Sequence, residues 1–159
     1  MTRIAAQTMV AVPAHDVPAL AEHYLRSLPY NEHEGAHAVL RGRLGSIAVG
    51  CEVLLKMTSV RTAPGLEVLD VHWHPLGDEP YPTFIGTLCA DQEDGGSCLL
   101  VLSGEYVPPG WIAGAAFDAL AGHFIAQESI RDLLGTLKTE FEALHAVQMR
   151  HLSAIAAVG

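Results

Sequence analysis

Residues 102–111, LSGEYVPPGW, begin as a strand and end in two prolines, a glycine and a tryptophan. Leu102, Gly104 and Tyr106 share one face by period-two alternation, with Ser103 and Glu105 on the other. Pro108 and Pro109 have no amide donor and stop the strand ladder, and Gly110 permits a sharp reversal. From Trp111 to Ala157 there is no proline and the pattern is helical. A last strand that turns at once into a long helix makes sense if that helix folds back across the sheet.

Working upstream, the sequence reads as a series of strands. Ser97 to Tyr106 places Cys98, Leu100, Leu102, Gly104 and Tyr106 on one inner face. The acidic turn DQEDGG precedes it and is expected to supply positive φ angles at Gly95 and Gly96. Residues 83–90 place Phe84, Gly86 and Leu88 together, and PLGDEPYP reads as a loop. Residues 66–74 set Leu69, Val71 and Trp73 against Asp70, His72 and His74. The clearest alternation runs from Ile47 through Val49, Cys51, Val53 and Leu55 to Met57, with the loop TAPG after it. Residues 36–44 carry Ala36, Ala38, Leu40 and Leu44 on one side. Short turns between successive strands predict an antiparallel meander. At the start, residues 8–13 (TMVAVP) predict a short strand, Asp16 an N-cap, and Ala19 to Leu28 a helix that Pro29 ends.

The long helix carries two stripes. Ile130, Leu133, Leu134, Leu137, Phe141 and Leu144 define one, and Phe117, Leu120, Ala121 and Phe124 define another on nearly the opposite side. One straight helix cannot bury both against one sheet. Either it breaks between Gly122 and Ser129, or its first half faces another partner such as a second subunit.

A strand, short helices, a run of antiparallel strands and a long C-terminal helix is the order of the helix-grip fold. YPTFIGTL, followed by LLVLSGEYVPPGWIAGAAFDALAGHFIAQESIRDLLGTLKTEFE, resembles the end of proteins of the SRPBCC (START and Bet v 1-like, polyketide cyclase-like) superfamily. The wording covers roughly the last half of the chain, and element order alone covers the rest. The resemblance implies an α+β fold, a curved antiparallel sheet wrapped around the C-terminal helix. It also implies a cavity between sheet and helix that holds a lipid, sterol, polyketide or other apolar molecule.

Composition narrows the partners. The 159 residues suit one domain spanning 1–159, and 50% are hydrophobic against 17% charged, fewer charges than the usual quarter or so. A net charge of −9 with no basic patch speaks against nucleic acid and anionic membrane. Three cysteines, Cys51, Cys89 and Cys98, sit in apolar or small-residue strands and read as reduced thiols of a cytoplasmic protein. The apolar run near the N-terminus is interrupted by Gln7 and Thr8 and reads as a strand rather than an export signal. No run reaches the roughly 18 apolar residues of a membrane span.

No nucleophile, base and orienting residue fall at motif spacing, and there is no phosphate-binding glycine loop and no Cys-x-x-Cys pair. No cofactor is expected. His72 and His74 point the same way, as a metal pair would, but away from Leu69, Val71 and Trp73; they read as solvated histidines without a third ligand. The inner-face residues Trp73, Met57, Cys51, Phe84, Leu102 and Tyr106, with Phe117 or Phe124 from the helix, are the candidates for a ligand cavity. The plainer reading is that they fill the core. Tyr106 is the most informative, because a buried hydroxyl needs a partner. Glu105 points outward, and His123 is a candidate cavity acid or base if the helix breaks there, a helix-surface histidine being the plainer reading. Three functions remain open: binding of a small apolar or amphipathic molecule, a polyketide cyclase-like or aromatase-like enzyme, and a homodimeric interaction module.

Overall fold

The structure, a computed structural model, describes residues 2–31, 34–44, 46–63, 66–108 and 117–158. The side chains of Asn31, Leu44, Leu66 and residues 117–120 lie outside that description. So do Pro109 and Gly110 of the strand end discussed above.

Alternation in sequence becomes a seven-stranded antiparallel sheet. Its strands are β1 (Thr2–Val10), β2 (Tyr30–Asn31), β3 (Gly35–Leu44), β4 (Ile47–Ala63), β5 (Leu66–Pro75), β6 (Thr83–Gln92) and β7 (Cys98–Val107). Their spatial order is β1-β7-β6-β5-β4-β3-β2, so the meander runs from β2 to β7 and the first strand closes it beside the last. Among the described residues two helices accompany the sheet, α1 (Val17–Ser27), entered through one turn of 3-10 helix at Ala14–Asp16, and α2 (Phe117–Val158).

Several expectations are extended or corrected. β1 starts at Thr2 rather than Thr8, pairing Thr2 with Tyr106 and Val10 with Cys98. β4 runs through Thr62 and Ala63, residues expected in a loop, because Ala63 still pairs with Leu66 of β5 past a register shift after Arg61. Asp16 stands at the N-cap position of α1, but its side chain does not cap the helix. It faces His15 at 3.3 Å and His145 of α2 at 3.7 Å instead. Among the described residues, positive φ occurs at Gly35 and Gly77, not at Gly95 or Gly96. The β6–β7 turn is held by side chains: Gln92 Nε2 donates to the Ser97 carbonyl at 3.1 Å, and Asp94 Oδ1 accepts from Gly96 N at 2.9 Å.

The helix does not break. α2 is continuous for 42 residues, and its inner face in the first half is made of small residues, Gly122, Ala126 and Ser129, followed by Ile130, Leu133, Leu134, Leu137 and Phe141. Phe124 of the second stripe faces outward and is 56% exposed, as the opposition of the two stripes requires of it.

α2 lies closest to β1 and β3, the two flanks of the sheet, and stands off from the middle strands. The sheet therefore curls around the helix. Gly42 allows the approach on one flank, since a Cβ there would sit 3.3 Å from the Ile125 carbonyl oxygen. Polar side chains of α2 then satisfy backbone groups on both flanks. On β1, Gln127 Nε2 donates to Ala5 O at 2.9 Å and Lys138 Nζ to Met9 O at 2.7 Å. Just beyond β1, Glu142 Oε1 accepts from Ala11 N at 3.0 Å. On the other flank Asp132 Oδ2 accepts from Arg41 N at 3.0 Å. A row of unpaired strand amides and carbonyls is an invitation to foreign strands, and the helix covers it.

Candidate functional site

Between the middle strands and α2 the space is filled by side chains. Trp73 stacks on Phe84 with ring centroids 4.3 Å apart and planes 17° apart, and Trp73 Nε1 donates to the Pro82 carbonyl at 3.1 Å. Leu102, Tyr106 and Cys51 are buried in the same cluster. A stacked aromatic pair of this kind adds about 0.5–1.5 kcal/mol beyond its area.

The open volume lies farther along the same concave face. A cavity of about 890 Å3 opens where the ends of β4 and β5 run out beneath α1. Met57 and Leu69 form its floor, and Pro18, Ala21 and Leu25 of α1 its roof. Alternation explains the floor: the inner-face series of β4 continues past Leu55 to Met57 and Ser59, beyond the reach of α2. The rim is polar. Ser59 Oγ donates to Glu67 across the hairpin, and Arg26 pairs with Glu22 at 2.6 Å on α1. A second groove of about 410 Å3 flanks the other side of α1, against Leu88 and Ala90 of β6, and shares Pro18, Glu67 and Leu69 with the first. The start of α1 thus bridges a trough that opens on both sides of it. Its near end is anchored by Ala14 N, which donates to Gln92 Oε1 at 2.8 Å.

Of the residues selected from sequence, Met57 lines this cavity. Trp73, Phe84, Leu102, Tyr106 and Cys51 come together, but as packed core under α2. Phe124 does not join them: it lies on the outward face of a straight helix, and the side chain of Phe117 is outside the described residues. Tyr106 and His123 approach to 6.0 Å between ring centroids. His72 and His74 are exposed on the convex face, and among the described residues no three His, Cys, Asp or Glu side chains are grouped to hold a metal ion. Sequence reasoning missed α1 as a roof. Its stripe of Val17, Leu20 and Tyr24 was the available signal, since a short amphipathic helix between β1 and the meander must cover one end of the sheet.

No family model and no curated protein matches the chain by sequence. Solved structures do match by shape. The Zhui aromatase/cyclase from a Streptomyces strain superposes with a TM-score of 0.54 at 15% identity, covering 89% of this chain and 93% of that one. A conserved protein from Geobacillus kaustophilus gives 0.57 at 13%, covering 88% and 95%. The di-domain ARO/CYC BexL gives 0.54 at 14%, covering 89% of this chain and 47% of the longer one.

The chain has the helix-grip fold. At this identity the likeness speaks for architecture, and it agrees with the SRPBCC resemblance of the last strand and helix. In this helix-grip chain a second polar group sits near the opposite end of the core. Ser129 Oγ donates to the Ile125 carbonyl at 2.6 Å, so the Tyr81 hydroxyl is the donor in its own bond to Ser129. Cys51 Sγ donates to Glu79 Oε2 at 3.0 Å. Burial pushes both the Tyr81 phenol and the Cys51 thiol up to about 12, with the Glu79 carboxylate adding to the effect at Cys51. Both groups keep their protons near neutrality, so Tyr81 and Cys51 act as hydrogen-bond donors rather than as activated nucleophiles.

Proposed function

We propose that the protein binds a small hydrophobic or amphipathic molecule, of lipid, sterol or polyketide-like character, in the cavity between α1 and the inner face of β4 and β5. The observation that carries this reading is the cavity itself: about 890 Å3 with an apolar floor and roof and a polar rim. That volume is within the range of sites that enclose drug-sized ligands. The apolar part of the ligand lies on Met57 and Leu69, and its polar end faces Ser59, Glu67 and the Glu22–Arg26 pair. The resemblance implied a cavity directly under the C-terminal helix; the proposed site shares the concave face but is roofed by the first helix.

Titration with the neutral probe N-phenyl-1-naphthylamine tests it. Saturable fluorescence enhancement at one probe per chain is expected, and Ala19→Trp at the exposed rim or Met57→Trp on the floor raises Kd about tenfold or more. Absence of saturable binding, or binding indifferent to both variants, overturns the reading.

A second reading is an aromatase/cyclase-like enzyme. It draws on the shared architecture with the Zhui aromatase/cyclase and on the 6.0 Å approach of Tyr106 and His123, the two residues suited to moving a proton. Turnover of a polyketide-like substrate that collapses in His123→Ala while probe binding persists distinguishes it from a carrier.

A further inference from the structure

The curled sheet ends well before α2 does. His145 is the last partly buried residue of the helix, and every residue from Ala146 to Val158 is exposed, about 20 Å of helix beyond the body. This tail is not polar. Val147, Met149, Leu152, Ile155 and Val158 are 51, 49, 60, 64 and 90% exposed. Leu144, Val147, Ile155 and Val158 fall on one stripe at 100° per residue, interrupted by His151, with Leu152 beside it. A lone helix of this length is marginal in water and draws its stability from packing an apolar face.

Two further observations say what covers the stripe. The first is continuity. Leu20, Tyr24, Phe141, Leu144 and Val147 line a groove of about 210 Å3 between α1 and α2, so Leu144 and Val147 belong to both groove and stripe. The second is charge. Residues 143–159 contain no Asp or Glu and one Arg, Arg150, so they carry +1; the remainder carries −10, the chain total of −9 less that one. Glu140 stands at the groove.

We propose that the occupant is a second copy of this chain, in a two-fold dimer in which each tail lies in the α1–α2 groove of the other. Groove and tail meet at Val147, so one two-fold axis there covers both stripes and both grooves, and the arrangement closes at two copies. Arg150 of each tail meets the acidic side of the other copy, which favours this pairing and sets its register. An anionic lipid surface is the less suited occupant, because a body of −10 is repelled by it.

Sedimentation equilibrium on the intact chain tests the proposal. A dimer is expected, weakening as salt is raised. The tail double variant Leu152→Lys with Ile155→Lys, and Ala143→Arg at an exposed position in the groove, each raise the dimer Kd about tenfold or more while the thermal midpoint of the body holds. A monomer at all concentrations overturns the proposal, as does a dimer that survives the tail variant. A dimer lost with the tail variant but intact in Ala143→Arg overturns the groove seating. Monomers that bind phosphatidylglycerol vesicles through the tail assign it to a lipid surface and overturn the dimer.

Discussion

Gly86 and Gly104 face each other across the β6–β7 ladder, and the Phe84 ring lies over the place where their Cβ atoms would be. A Cβ built on Gly104 falls 2.3 Å from the Ile85 carbonyl oxygen and 2.8 Å from Phe84 Cζ; one built on Gly86 falls 2.3 Å from the Ser103 carbonyl oxygen. Backbone cannot yield at that distance as a flexible side chain can. Gly104→Ala therefore destabilises by more than about 2 kcal/mol, read from denaturant unfolding.

Phe84 links that glycine pair to Trp73, and it is fully buried. Phe84→Ala costs about 3–5 kcal/mol through lost contacts and the cavity left behind. The same measurement on Ala19→Trp should show little change, because Ala19 is exposed at the rim.

At alkaline pH Cys51 and Tyr81 contribute to a loss of stability. The Cys51 thiol has an ordinary value of 9.0 and the Tyr81 phenol 10.0, and both are raised to about 12 in the folded chain. The folded protein keeps these protons where the unfolded chain releases them, so stability falls as pH rises from about 9 toward 12. Cys51→Ser with Tyr81→Phe should make that part of a pH–stability curve shallower. Cys89 and Cys98 are also shifted upward, chiefly by burial and then by Asp91. All three thiols should react slowly with a maleimide at neutral pH until the chain is unfolded.

The acid limb has a different origin. Glu142 is held below its ordinary 4.5, first by Lys138 and then by the Ala11 amide. A depressed carboxylate contributes stability that is present above its unfolded pKa and lost as pH falls through the folded value. Glu142→Gln should show a shallower loss of stability below about pH 4.5 than the unmodified chain, with the curves separated at neutral pH.

The strands from β3 to β7 were legible because their inner faces are written in large apolar residues at period two, from Ala36 to Tyr106. The extra length of β1 was not, because Arg3, Gln7 and the small residues between them carry little alternation, and β7 supplies the order by pairing. The unbroken helix was hidden for a related reason. Its inner face begins with Gly122, Ala126 and Ser129, which are small because α2 runs close to the sheet there, whereas Phe124 attracts attention on the side that faces out. The cavity was half legible: Met57 and Leu69 were placed on the right face, but a roof supplied by α1 depends on how a helix packs across strands far along the chain.

The seam that α2 makes along both flanks of the sheet has a consequence for synthesis. β1 leaves the ribosome ahead of the meander, yet its neighbour β7 comes at the end of the meander, and Lys138 and Glu142 come later still. Throughout translation the nascent chain therefore carries strands with bare margins. The sheet is sealed on β1 and on β3 in one late event, when the last helix emerges and lies down, so a ribosome stalled between Val107 and Gln127 would display the most adhesive form of this protein.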